Sequence, residues 1–262
     1  MQARRNRVVF LAIVAFASLM LAISGSAQQP PKSTPPRPQS GSMASTDMSD
    51  MQNEVEQYPE AAKSANEAMS KLDMNMNRNP HMFMTELQPK SSDDDRRAEE
   101  ILDILRRSIS KYKDYKVALS DGYQIFLPKL PQQQYHFTNY HYAFTAAFLF
   151  NPAHPTSLLY RKTTDGYELL GAMFTAPKNA TEQQLNERVP LSIARWHEHV
   201  NLCMPPKGTP VSQVDWKQFG LGGSIATQQR CAQAAGRWIP QIFGWMVHVY
   251  PFESDPDKIW AH

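Results

Sequence analysis

The stretch RWHEHVNLC, residues 195–203, brings two histidines and a cysteine close together. If it forms a β-strand, alternate side chains share a face, so His197 and His199 point the same way. Their α-carbons then lie roughly 6.6 Å apart, and imidazole nitrogens about 2.1 Å from a metal can meet across that gap. We therefore predict a two-ligand edge that needs one or two further ligands from elsewhere in the fold.

Two further histidines in β-like segments offer those ligands. His248 lies in GWMVHVYPF, and His136 lies in QYHFTNYHY. Neutral imidazole is the commonest metal ligand, and three histidines with one open position are typical of catalytic zinc. We predict a mononuclear copper or zinc site of His197, His199 and His248. His136 is expected as a fourth ligand or as a residue that supports the ligands.

Two alternatives compete with this interpretation. PLSIARWHEHV also has apolar residues at helical offsets, and on a helix His197 and His199 would diverge by about 200°, which removes the shared site. Histidines flanked by aromatic residues are also often hydrogen-bonded core residues, and the aromatics could line a pocket for a sugar or another planar ligand. The alternative function is a non-catalytic envelope domain that binds a small ligand and whose histidines are structural. The aromatic residues in question are Tyr135, Tyr140, Tyr142, Trp196, Trp245 and Tyr250.

Catalysis at a metal site would need an acid near an open coordination position. Glu198 and Glu253 are the candidates, either as partners of the ligands or as general bases. Their spacing favours neither, and the sequence contains no GxSxG nucleophile elbow. The sequence therefore leaves open whether the protein is an enzyme.

Cys203 and Cys231 are the only cysteines. An extended strand carries Cys203 about 20 Å from His197 and about 13 Å from His199, which is too far for a shared metal. In an oxidising compartment two cysteines most simply pair with each other. We predict a Cys203–Cys231 disulfide that closes one long loop.

The first 27 residues have the three-part pattern of a secretory signal, with basic MQARRNR, apolar VVFLAIVAFASLMLAI and small-residue SGSA. Three arginines leave with this segment and no acid does, so 27 basic against 25 acidic residues become 24 against 25. A near-neutral protein without a basic stripe is a poor nucleic-acid binder. We predict a periplasmic or secreted protein that binds a metal ion or small molecule, with no membrane span after signal cleavage.

Residues 28–90 are predicted to form a disordered tether, because Pro, Ser and Gln dominate its first half and aliphatic residues are scarce. Eight of the 13 methionines lie between residues 43 and 84. Thioethers select Cu(I), so DMSDM and HMFM could trap copper. Methionine also occurs in low-complexity tethers without any specific role. We prefer the tether, followed by a single domain over residues 91–262.

Within that domain, SSDDDRRAEEILDILRRSISKYKDY combines Ser and Asp caps, acids in the first turn and apolar residues at helical spacing. The pair Asp165-Gly166 predicts a hairpin turn, TEQQLNERV a short helix, and SIATQQRCAQAAG a helix capped by Ser224 and ended by Gly236. We predict an α+β fold in which an N-terminal helix packs on a mainly antiparallel sheet or partly open barrel. The predicted strands are YQIFLP, QQYHF, TSLLYRKTT, YELLGAMFTAP, IARWHEHVNLC and WIPQIFGWMVHVYPF.

Several segments together resemble a group of secreted bacterial proteins of unassigned function. They are SKYKDYKVALSDGY, YHFTN, NPAHPTSLLYRKTTDGYELLGAMFTAP and MVHVYPFESDPDKIW, within residues 108–260. In that group a helix ending in DGY precedes a Y-H-aromatic-x-N segment, and a late H-V-aromatic strand runs into an Asn/Asp-Pro turn. The resemblance implies no activity. It singles out His136, Asn139 and His248 as the matching polar positions, and it adds Asn139 as a residue expected to support the ligands.

Overall fold

The computed structural model describes residues 79–128, 132–210 and 213–260. The predicted signal peptide and the first part of the predicted tether, up to residue 78, lie outside these ranges. None of the helices within them is both long and apolar enough to cross a membrane.

Seven strands form one antiparallel sheet, in the spatial order β1-β6-β7-β5-β4-β3-β2. Every neighbouring pair runs antiparallel, so the predicted α+β class and antiparallel sheet are confirmed. The sheet is not closed into a barrel, since β1 and β2 form its two ends. The strands are β1 (Met82–Met84), β2 (Gln124–Ile125), β3 (Tyr135–Thr138), β4 (Ser157–Lys162), β5 (Tyr167–Ala176), β6 (His197–Met204) and β7 (Arg237–Val249).

The helices are short except for the first. They are α1 (Asp94–Ile109), α2 (Tyr115–Ser120), α3 (Tyr140–Ala146), α4 (Glu182–Arg188), α5 (Gln228–Gln233) and α6 (Pro256–Ile259). Helix α1 begins with acidic and ends with basic residues, which complements the helix dipole. Its apolar side chains recur at helical spacing, and Leu102, Leu105 and Ile109 are buried in one cluster with Phe137 of β3 and Phe174 of β5.

Helix α1 ends at Ile109, earlier than the prediction through SKYKDY, and residues Ser110–Lys113 form a 3₁₀ turn.

Two shorter helices also differ from the prediction. Helix α3 was not predicted, because its sequence YHYAFTA is rich in aromatic residues of modest helix propensity. Its start is set by Asn139, whose side chain accepts a hydrogen bond from the Tyr142 backbone N–H at 3.1 Å. Helix α5 is capped by Thr227 rather than by Ser224, because the Thr227 hydroxyl accepts from the Arg230 backbone N–H.

The folded domain begins before residue 91, which is the start predicted from the sequence. Strand β1 lies inside the segment assigned to the tether, and it pairs with β6. The predicted tether of residues 28–90 therefore contains an ordered strand at its C-terminal end. A three-residue strand of Met and Phe carries no clear alternation, so its pairing with a partner more than 100 residues away could not be read from sequence.

Candidate functional site

Strand β6 contains both histidines of the HEH triplet, so the strand interpretation of this stretch is confirmed over the helical one. His197 and His199 share a face, and their ring centres are 5.7 Å apart. Glu198 points to the opposite side, where its β1 neighbour Phe83 packs against Trp245. That opposite side carries the main hydrophobic core with α1.

All four predicted ligands lie on one side of the sheet, which we call the histidine face. The ring centres of His197 and His248 are 5.1 Å apart, and those of His248 and His136 are 5.6 Å apart. These contacts join β3, β6 and β7, so the fold brings together residues more than 100 positions apart in sequence. The histidine face is defined by His136, His197, His199 and His248 and by the residues directly opposite them in the sheet.

The sheet curves towards the histidine face. Strands β4 and β5 lie between β3 and β7, so in a flat sheet the backbones of β3 and β7 would be about 14 Å apart. The close approach of the His136 and His248 rings requires the sheet to fold over on this side. A hydrogen bond spans the same gap, because the Tyr250 hydroxyl donates to Gln134 Oε1 at 2.9 Å.

The ring separations match those of imidazoles that share a metal. With metal–nitrogen bonds of about 2.1 Å, two imidazoles on a tetrahedral metal have ring centres roughly 5 Å apart. However, no group of three His, Cys, Asp or Glu side chains in the described residues is already arranged to hold a metal ion. The rings are neighbours, and their nitrogens would have to turn towards a common point.

Burial keeps two of these histidines neutral. The pKa of His199 is lowered from 6.5 to about 4, first by desolvation and then by the charges of His136 and His81. Desolvation also lowers the pKa of His136 to about 4, against a hydrogen bond to the Gln134 backbone that raises it. Neutral imidazole is the form that binds metals, so at pH 7 these side chains need not lose a proton first.

The residues expected to support the ligands lie elsewhere. Asn139 caps α3 with its side-chain oxygen, and its amide donates to the Asp121 carbonyl at 3.2 Å. Glu198 is buried on the core side and accepts a hydrogen bond from the Gln241 amide. Glu253 is exposed in the turn after β7. The structure therefore places none of the three on the histidine face.

The predicted disulfide between Cys203 and Cys231 is confirmed. It joins β6 to α5 across 28 residues and is fully buried with Phe219 and Ile225. Asn201, which precedes Cys203 by two residues, has φ +60 and interrupts the regular alternation of β6. The disulfide cluster is thus separate from the histidine face, as the distance argument from sequence predicted.

His81 fixes one end of β1. Its Nδ1 lies 3.0 Å from the Asn201 carbonyl oxygen, and its Nε2 lies 2.6 Å from the Gly223 carbonyl oxygen. Carbonyl oxygens only accept, so a ring N–H of His81 is the donor towards these carbonyls. The His81 carbonyl also accepts from the Val200 backbone N–H at 2.9 Å. His81 thus ties β1 to β6 and to the loop at Gly223.

The aromatic residues proposed for a planar ligand do not gather at one place. Tyr135, Trp196 and Trp245 are buried in the core on the α1 side of the sheet. Tyr142 stacks on His154 at the surface, with ring centres 4.5 Å apart. Tyr140 begins α3, and Tyr250 borders the histidine face. The aromatics therefore serve the core and several separate surfaces.

Sequence reasoning missed the methionines of the histidine face. The register puts a methionine directly across from each histidine of β6 and β7, as Met84 and Met246 for His197, Met82 for His199, and Met173 for His248. The alternation in GWMVHV already places Met246 and His248 on one face. The pairing between strands was the missing information, and a single sequence does not contain it.

No family model matches the chain, and no curated protein and no solved structure match it. The resemblance to secreted bacterial proteins drawn from the motifs around His136 and His248 therefore stays a prediction.

Proposed function

We propose that this chain is an extracytoplasmic metal-binding protein that takes a copper or zinc ion at the histidine face. The observation that carries the proposal is the gathering of four histidines from three strands, with successive ring centres 5.1–5.7 Å apart. Burying polar groups side by side costs free energy, and neighbouring imidazoles oppose each other's protonation. A bound metal ion would turn this unfavourable arrangement into a favourable one.

The disulfide supports the extracytoplasmic part of the proposal. Disulfides form and persist in oxidising compartments and are rare where thiols are kept reduced. The Cys203–Cys231 bond is buried, and no free cysteine occurs in the described residues. This chemistry agrees with the secretory signal predicted for residues 1–27.

We propose binding rather than catalysis as the primary role. The two acids considered as general bases, Glu198 and Glu253, lie on the core side and in an exposed turn. A second candidate is the non-catalytic small-ligand-binding domain with structural histidines. This second candidate is favoured by the hydrogen bond between the His136 ring and the Gln134 backbone, because that bond already engages one of the four imidazoles.

Metal content of the full mature chain tests the proposal. The protein is purified from the periplasm without a metal column, and copper and zinc are measured by elemental analysis before and after reconstitution. The test variant is His197→Asn/His248→Asn, which removes the closest ring pair. The matched control is His141→Asn, at an exposed histidine on α3. Near-ultraviolet circular dichroism checks that each variant keeps its fold.

We expect close to one equivalent of metal in the wild type and the control, and its loss in the folded double variant. Metal that remains in the double variant would contradict a site at the histidine face. A variant lacking residues 28–78 then shows whether the methionines before the domain hold the ion, because this deletion leaves β1 intact. Absence of metal from every preparation would overturn the proposal and leave the small-ligand-binding domain.

A further inference from the structure

The cross-strand partners of the histidines suggest which metal the histidine face prefers. In an antiparallel sheet, directly opposite residues point to the same side with β-carbons about 4.5–5.5 Å apart. Met246 is therefore a direct neighbour of His197, and Met173 of His248. Both methionines are buried, and they belong to one small cluster with Leu159, the residue opposite His136.

This placement allows the methionine thioethers to approach the same site as the imidazoles. Met246 and His248 are two residues apart on β7 and so also share a face. Methionine has an unbranched, flexible side chain that can turn its sulfur towards a neighbouring site. Two imidazoles and two thioethers, from β5, β6 and β7, can therefore reach one small volume on the histidine face.

Thioether ligands discriminate between the two candidate metals. Soft sulfur ligands such as methionine select Cu(I), whereas structural and catalytic zinc is bound by thiolate, imidazole and carboxylate. A zinc ion at this site would not use the methionine sulfurs, because thioethers are not among the ligands that bind zinc. The residue types on the histidine face therefore favour Cu(I) over Zn(II).

Charge leads to the same preference. The positions that the register places around the site are histidine, methionine, leucine, glycine and one threonine, Thr175 opposite Met246, and none of them is a carboxylate. Glu198 faces the other side of the sheet. The Born cost of burying an ion rises with the square of its charge, so a monovalent ion is about four times less costly to bury here than a divalent one.

Resting on the proposed function, we infer that the histidine face binds copper(I), held by the imidazoles of His197 and His248 and the thioethers of Met246 and Met173. His136 and His199 border this set and complete the wall of the site. Methionine as a simple core filler is the competing explanation, and volume-conserving substitutions separate the two.

The test compares Cu(I) and Zn(II) affinities of the full mature chain under anaerobic conditions, each in competition with a chromophoric chelator. The variant Met246→Leu/Met173→Leu keeps the volume and removes both thioethers. The matched control is Met204→Leu, which changes a buried methionine of β6 that packs in another cluster. X-ray absorption of the copper-loaded protein reports sulfur scattering directly.

We expect the double methionine variant to lose Cu(I) affinity by at least about tenfold, since loss of even an outer partner of a metal ligand has that effect. Zn(II) affinity and thermal stability should change little, the control should match the wild type, and copper–sulfur scattering should vanish. Unchanged Cu(I) affinity, or equal losses for both metals, would overturn the assignment of the methionines. If metal binding then still depends on His197 and His248, the proposed function survives; if no metal binds at all, both fail.

Discussion

Acidification should destabilise the metal-free protein through His199. The pKa of His199 is lowered from 6.5 to about 4, first by burial and then by repulsion from His136 and His81. In the unfolded chain the same side chain titrates near its ordinary value of about 6.5. Between these two values the unfolded state binds a proton that the folded state does not, so stability falls as the pH falls. Above this window both states are neutral at this position, and below it both are protonated.

The size of this effect follows from the two pKa values. A pKa lower by about 2.5 corresponds to a total loss of about 3 kcal/mol once the pH is below 4. Between pH 7 and pH 5, His199 alone should lower the free energy of unfolding by about 2 kcal/mol. His136, whose pKa is also lowered to about 4, adds a loss in the same direction.

Guanidinium unfolding followed by tryptophan fluorescence, at pH 7 and pH 5 with a chelator present, measures the loss. His199→Gln removes the titrating group and keeps a neutral polar side chain. Its free energy of unfolding should therefore fall by about 2 kcal/mol less than that of the wild type over this interval. His141→Gln, at an exposed histidine, should follow the wild type. Equal falls in the wild type and in His199→Gln would refute a buried neutral imidazole at this position.

Three further substitutions test the framework around the site. Replacing Cys203 and Cys231 by alanine should lower the free energy of unfolding in urea by about 3.6 kcal/mol, because the bond closes a loop of 28 residues; a change below about 1 kcal/mol would contradict this. Gly171→Ala should lower the melting temperature, since the new β-carbon would lie 2.1 Å from the Val249 carbonyl oxygen; an unchanged melting temperature would show that β5 and β7 separate freely. Thr181→Ala should cost about 1 kcal/mol in urea unfolding by removing the capping box of α4, and Thr181→Ser should restore it.

Local patterns predicted the elements whose signals are strong and close in sequence. The 3.6-residue spacing predicted α1, and the pair Asp165-Gly166 predicted the β4–β5 hairpin, where Gly166 adopts φ +146. Alternation also placed His197 and His199 on one face. These predictions succeeded because a single short window contains the whole physical cause of the structure.

Features that depend on contacts between distant segments could not be predicted from the sequence, for the opposite reason. The pairing of β1 with β6 depends on backbone hydrogen bonds between distant segments, and the methionine run of β1 has no periodicity of its own. Asn139 has a matching position in the resemblance, but its side chain is committed to capping α3 and to the Asp121 carbonyl. A polar residue in a motif that also contains a histidine can thus be a structural cap, and its hydrogen bonds distinguish the two roles.

The methionine segment before the domain and the histidine triplet of β6 looked like two separate metal-binding possibilities in the sequence. The sheet joins them, because the register sets Met84 against His197 and Met82 against His199. Strand β1 also covers the edge of β6, and His81 holds it there through both ring nitrogens. A soft-ligand strand that is itself an edge can leave its partner more easily than a central strand, since only one row of backbone hydrogen bonds holds it. The edge position of β1 would therefore give an ion at the proposed copper(I) site a route to the histidine face that does not require the core to open.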